Sequence, residues 1–160
     1  MRSEGEIERA VELYADTVKR LCAVHLKNQA DTEDIFQTVF LKYALCTAVF
    51  QNEEHEKAWF IRVTINACKD LLKSFFRKNT VPLDGIPIGE EKDIVEKNDV
   101  LNAVLSLPQK YREVVYLHYY EGYTAKQIGE ILKKRENTVY TLLNRAKGLL
   151  KDRLGGESYV

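Results

Sequence analysis

The chain has 160 residues, 45% of them apolar, with 24 basic and 24 acidic side chains and three cysteines. That length carries one ordinary domain or two small ones with a real core, and the zero net charge at first argues against a nucleic-acid protein. The N-terminus MRSEGEIERA is charged throughout, unlike a secretory signal, and no apolar run approaches the roughly 20 residues that span a bilayer.

The first helix is expected over residues 5–27, where Ile7, Ala10, Val11, Tyr14, Val18, Leu21 and Cys22 recur at helical spacing. A second should begin at Asp31, which can cap it, with Asp34 three residues later in a capping-box-like start. A polar break, QNEEHE, precedes a third helix over about 55–77. Its stripe Ala58, Ile61, Ile65, Cys68 and Leu72 is spaced 3, 4, 3, 4, and the other side carries Arg62, Asn66, Lys69, Asp70 and Lys73. The stretch TVPLDGIPIGEEKD has no helical period and reads as a linker. Beyond it a short helix covers 94–106. Pro108 suits the first position of the next, which runs to about Tyr120 and ends at Gly122. Thr124 then caps a short helix with Gln127 completing a capping box, and a final helix covers 136–153. Nothing alternates convincingly like a strand. The expected fold is therefore all-α: two small helical domains, 1–78 and 95–160, joined by a flexible linker, 79–94.

The zero net charge hides a pattern. Residues 1–56 hold 6 Lys/Arg against 11 Asp/Glu, whereas 57–78 hold 6 against 1 and 126–153 hold 8 against 3. Clustered positive charge on two helices is what attracts phosphate. The two helices over 123–153, joined by a polar turn, are of the kind that puts side chains into a DNA major groove. In the last one Val139, Leu143, Ala146 and Leu150 form the buried stripe, leaving Asn137, Tyr140, Thr141, Asn144, Lys147 and Lys151 outward. Asn can pair bidentately with adenine and Thr can meet a thymine methyl, while Arg135, Arg145 and Lys147 suit phosphate contacts that set position. An ordinary polar helix face is the plainer reading of each of these sets. Trp59 lies beside the apolar stripe of its helix and is expected in the core.

Three segments, in this order, are similar to the extracytoplasmic-function group of the sigma-70 family: DTEDIFQTVFLKY (31–43), AWFIRVTINACKDLLKS (58–74) and LPQKYREVVYLHYYEGYTAKQIGEIL (107–132). The resemblance covers about residues 7–153. It implies a bacterial transcription initiation subunit that binds core RNA polymerase and promoter DNA, and an anti-sigma factor as a further partner. It implies that Asp34, Gln37 and Phe40 dock on the polymerase, although Phe36, Val39, Phe40 and Tyr43 can equally be read as the core side of a capped surface helix. It implies that Asn66 and Asp70 match the family's pattern in the helix reading the −10 strand, and that the loop 47–55 faces a flipped-out base there, with Gln51 or Asn52 as readers. Thr38 stands where the family usually has an acid. Lys133 and Lys134 replace a Gly-apolar turn. Tyr140 and Leu142 replace frequent cations, so Leu142 is expected to remove a phosphate contact.

Enzyme chemistry finds no support. The sequence contains no phosphate-binding G-x-x-x-x-G-K-[ST] loop and no H-E-x-x-H helix. His25, His55 and His118 are scattered, and the cysteines form no C-x-x-C pair. No catalytic residue, metal, cofactor, small-molecule substrate or membrane insertion is expected, and a cytoplasmic location with reduced thiols follows from the cysteine usage. A stand-alone helix-turn-helix regulator and a sigma-like adaptor that has lost DNA contact remain the alternatives.

Overall fold

A computed structural model describes residues 1–26, 28–79 and 99–154. Its helices are α1 (Glu4–His25), α2 (Gln29–Leu45), α3 (Glu53–Asn79), α4 (Asp99–Leu105), α5 (Gln109–Val115) running into a π-turn (Tyr116–Tyr120), α6 (Ala125–Leu132) and α7 (Glu136–Arg153). Among the described residues there is no strand, so the all-α expectation holds. The chain divides into two compact units, residues 1–90 and 91–160. From residue 80 on, the expected linker lies outside the described residues.

The first unit is a three-helix bundle in which α3 packs against both α1 and α2. Its core joins Ala10, Tyr14, Val18 and Cys22 of α1 to Ile35, Val39, Phe40 and Tyr43 of α2 and to Phe60, Ala67 and Cys68 of α3. Phe60 is the hub, its ring centroid 4.7 Å from Tyr14, 5.1 Å from Phe40, 4.9 Å from Tyr43 and 5.0 Å from Trp59. Each such aromatic pair is worth about 0.5–1.5 kcal/mol beyond the area it buries. The expected α3 stripe omits Phe60. A helix gripped from two sides buries two adjacent stripes, so Phe60, Thr64 and Ala67 are buried beside Ile61, Ile65 and Cys68, while Ala58 and Leu72 are only half-buried. Trp59, expected in the core, is only half-buried and packs against the edge of this cluster.

Helix starts follow capping chemistry. Ser3 caps α1 in a reciprocal box with Glu6, a signal the reading of 5–27 passes over. Helix α2 begins at Gln29, two residues before the expected Asp31, because the side chain of Asn28 accepts from the Asp31 backbone N–H and so takes the cap position. Asp31 then stands in the first turn, where its charge still meets the positive helix end.

The second unit buries Leu107, Val114, Leu117, Ile128, Val139 and Ala146 between α5, α6 and α7. Pro108 occupies the cap of α5 rather than its first turn, one residue earlier than expected and at no cost, since neither position uses the missing N–H. The π-turn brings the Glu121 N–H to Tyr116 O, and Gly122, at φ +79°, follows the end of the helix as expected. His118 sits at the core edge with Nδ1 2.8 Å from Tyr123 O. Arg112 reaches back to the Leu107 carbonyl at 2.9 Å, holding the short connection from α4.

Candidate nucleic-acid interface

The helix-turn-helix is built from local signals. Thr124 and Gln127 form the expected capping box at the start of α6. The helix ends at Lys133, the one described non-glycine residue with positive φ, at 58°. Its N–H and that of Lys134 both donate to Gly129 O, which closes the turn. Gly129 permits this closure: a Cβ there would stand 2.6 Å from the Lys134 carbonyl oxygen. Nothing in the sequence reading singles Gly129 out, although a glycine at mid-helix, where it costs about 1 kcal/mol, is the available clue.

Helix α7 leaves this turn with Arg135 at its cap. Arg135, Asn137, Tyr140, Thr141, Asn144, Arg145 and Lys147 are all exposed, Tyr140 with 52% of its surface. Thr141 donates its hydroxyl to Asn137 O at 3.0 Å, so its proton is engaged while its oxygen can still accept. Lys147 lies 5.9 Å from the Tyr119 ring centroid, within cation–π range. The opposite face buries Val139, Leu143, Ala146 and Leu150, as expected, together with Leu142. The expectation for Leu142 is corrected here. At 7% exposure it belongs to the core and cannot stand for a lost phosphate contact, because α7 packs against α5 as well as α6. A buried Leu142 therefore gives no support to an adaptor without DNA contact.

On α3 the five residues expected on the polar side of the helix differ in exposure. Asn66, Asp70 and Lys73 are exposed, whereas Arg62 and Lys69 are half-buried. The Nε of Arg62 is shielded from solvent and has no hydrogen-bond partner. Ahead of α3, the segment 46–52 is non-helical. Asn52 accepts from the His55 backbone N–H at 2.8 Å and so caps α3, which leaves Gln51 as the exposed amide of the two that is not engaged in a cap.

On α2, Asp34 and Gln37 are exposed and the apolar Leu41 and Leu45 continue that surface, each 60% exposed. Phe40 does not join them. It is 7% exposed with its ring packed on Phe36 and Phe60, so the expected polymerase contact of Phe40 is corrected to a core role. The pattern Phe36, Val39, Phe40 and Tyr43 is the core side of this helix, Phe36 only partly covered.

Nothing in the sequence marks Glu56 as a buried carboxylate. It is 5% exposed and accepts from Tyr14 Oη at 2.8 Å, Tyr43 Oη at 2.7 Å and Arg9 at 3.1 Å. Burial alone pushes this carboxyl up; the Tyr43, Tyr14 and Arg9 donors together outweigh that and hold it below the ordinary carboxylate range. The same burial, with the neighbouring negative charge, pushes the Tyr43 hydroxyl up to about 12. Cys22 and Cys68 are buried, and the contact with Cys22 and the loss of solvent push the Cys68 thiol up, away from nucleophilic reactivity. Among the described residues no cluster of side chains could hold a metal, and no helix is long and apolar enough to cross a membrane.

Residues 10–78 match the family Sigma-70 region 2, and residues 97–150 match Sigma-70, region 4. The chain is 29% identical over 141 residues to RNA polymerase sigma factor SigV of Bacillus subtilis, covering 86% of this chain and 84% of that protein. It is 28% identical to ECF RNA polymerase sigma factor SigW of the same organism, covering 90% and 86%. Its fold is similar to that of the sigma factor RpoE in complex with the anti-sigma factor NepR from Bartonella quintana, with a TM-score of 0.75 at 17% identity over 94% of this chain and 97% of that one. Both family segments and the paired helical units lead to one assignment: the chain belongs to the sigma-70 family and is an extracytoplasmic-function sigma factor, a transcription initiation protein.

Proposed function

We propose that the two units divide promoter recognition between them. The unit of residues 1–78 binds core RNA polymerase and holds the separated −10 strand; the unit of residues 95–160 reads the −35 duplex; 79–94 links them. The observation that carries this reading is α7, which buries one face completely and turns Asn137, Tyr140, Thr141, Asn144, Arg145 and Lys147 to solvent directly after the turn cation Arg135. Asn144 and Thr141 suit base edges, and Arg135, Arg145 and Lys147 suit phosphates.

For the separated strand, Arg62, Lys69 and Lys73 supply charge along the backbone, while Asn66 and Asp70 offer hydrogen bonds to unpaired bases. The expected loop 47–55, non-helical over 47–52, lies against the same strand, with Gln51 its exposed amide that is not engaged in a cap. Asp34 and Gln37 on α2 dock on core polymerase, and the exposed Leu41 and Leu45 extend that contact. The polymerase supplies the chemistry, so this chain needs neither a catalytic group nor a cofactor, and its place of work is the cytoplasm. An anti-sigma factor is a further partner. Two weak DNA contacts joined on one polymerase gain from effective concentration, so neither has to bind tightly alone.

Alanine at both Asn66 and Lys69 tests the division of labour. The expected result is impaired promoter opening, read by permanganate reactivity of unpaired thymines, with binding to core polymerase unchanged. Equal reactivity in the variant and the wild type would remove α3 from strand capture.

A further inference from the structure

We infer that Arg2 is a positioning residue for strand capture: it ties the segment 46–52 to the end of α2 and fixes how Val49 and Gln51 are offered to a separated base. The inference rests on the reading of the loop 47–55 given above. Arg2 lies outside the matched region, which starts at residue 10.

The last carbonyls of a helix lack partners inside it and attract cations. At the end of α2, Arg2 supplies both. Its backbone N–H donates to Ala44 O at 2.9 Å and its Nε to Tyr43 O at 2.9 Å. The other arm of the guanidinium donates to Ala48 O at 2.7 Å, inside the loop. The same planar group lies 4.3 Å from the Tyr43 ring centroid and 5.5 Å from that of Phe50, two rings only 15° from parallel. Phe50 is gripped from its other sides by His55 and Trp59, and Tyr43 is in turn held by Glu56. Residues 48 and 50 are thus anchored on either side of Val49, which is 91% exposed. A forked guanidinium makes these contacts together, and an ammonium cannot. Without it, the loop is ordered only when it closes on the preferred base, so the ordering cost falls on that base alone and reduces its advantage over the other bases by roughly 5- to 30-fold for each residue fixed.

The test uses polymerase reconstituted from core enzyme and the full chain as wild type, Arg2→Ala, Arg2→Lys and a Val49→Ala/Gln51→Ala double variant. The probe is fork-junction DNA whose unpaired strand is randomised, with bound molecules sequenced. Wild type is expected to enrich one base at a position of the unpaired segment, and the double variant to lose that preference. Arg2→Ala should weaken the preference by roughly 5- to 30-fold, and Arg2→Lys, the variant that decides the matter should Arg2→Ala fail to fold, should weaken it as well. Retention of the preference in both Arg2 variants, or a uniform loss of affinity with the preference intact, overturns the inference while leaving the loop reading in place. Retention in the double variant, or no preference in wild type, shows that the loop does not read the strand, and the inference falls with it.

Discussion

Gly129→Ala should destabilise the helix-turn-helix, and Lys133→Gly should stabilise it. A Cβ at residue 129 would meet Lys134 O at 2.6 Å, about 0.7 Å inside an ordinary carbon–oxygen contact. That oxygen belongs to backbone pinned on both sides, by the Lys134 N–H on Gly129 O at 2.9 Å and by the start of α7 two residues on. Relief therefore requires α6 and α7 to move apart. Overpacking of this kind costs about 1–3 kcal/mol, and the better helix propensity of alanine returns about 1 kcal/mol. The net loss is up to about 2 kcal/mol, or as much as roughly 15 °C in the melting of a unit this small. Lys133, by contrast, holds φ at 58°, where a Cβ costs about 1 kcal/mol. Glycine removes that cost and gives back part of the gain through its more disordered unfolded state. The expected rise is roughly 2–6 °C. Far-UV circular dichroism on heating measures both variants, and the fluorescence of Trp59, the single tryptophan, reports separately on the first unit. A Gly129→Ala protein that melts at or above wild type would refute the steric argument.

Three other outcomes follow from the same geometry. Glu56→Gln leaves two tyrosine hydroxyls and Arg9 without a charged acceptor and should cost about 2 kcal/mol at neutral pH. Because the folded carboxyl lies below its ordinary value of 4.5, the stability it contributes is present above that value and is lost as pH falls through the folded one. The gap between wild type and variant in urea denaturation should therefore close in acid; a gap that widens there contradicts the network. Leu142→Arg should destabilise the second unit by several kcal/mol, since it places a charge at a 7%-exposed core site. Tighter DNA binding by a stable variant would return that residue to the surface. Thr141→Ala with Asn144→Ala should alter −35 preference in a randomised library. Lys147→Ala should weaken all sequences alike and lower the salt slope by about one phosphate.

The features readable in the sequence are those whose cause is local. Thr124 and Gln127 are three residues apart, and their capping box is found where expected. The α7 stripe Val139, Leu143, Ala146 and Leu150 is buried as its spacing predicts. Misreadings occur where a second neighbour decides. Leu142 is buried because α7 has two packing partners, and Phe60 became the centre of its bundle because α3 does too. Phe40 lies between a docking face and a core face, and periodicity alone does not choose between them; contact with Phe60 does. Glu56 reads as one more acid in QNEEHE, since its partners Tyr14 and Tyr43 stand 42 and 13 residues away. Asn28 and Asp31 are both competent caps, and the earlier one won.

Transcription in vitro, with core RNA polymerase, the full chain and a library of genomic fragments, tests most directly whether these two outward helix faces act on one promoter. The account predicts transcripts that depend on the chain and whose start sites share two short sequence elements at a constant separation, with Thr141/Asn144 variants changing only the upstream element and Asn66/Lys69 variants impairing opening at the downstream one. Transcripts indifferent to the chain, or start sites sharing a single element, would contradict it.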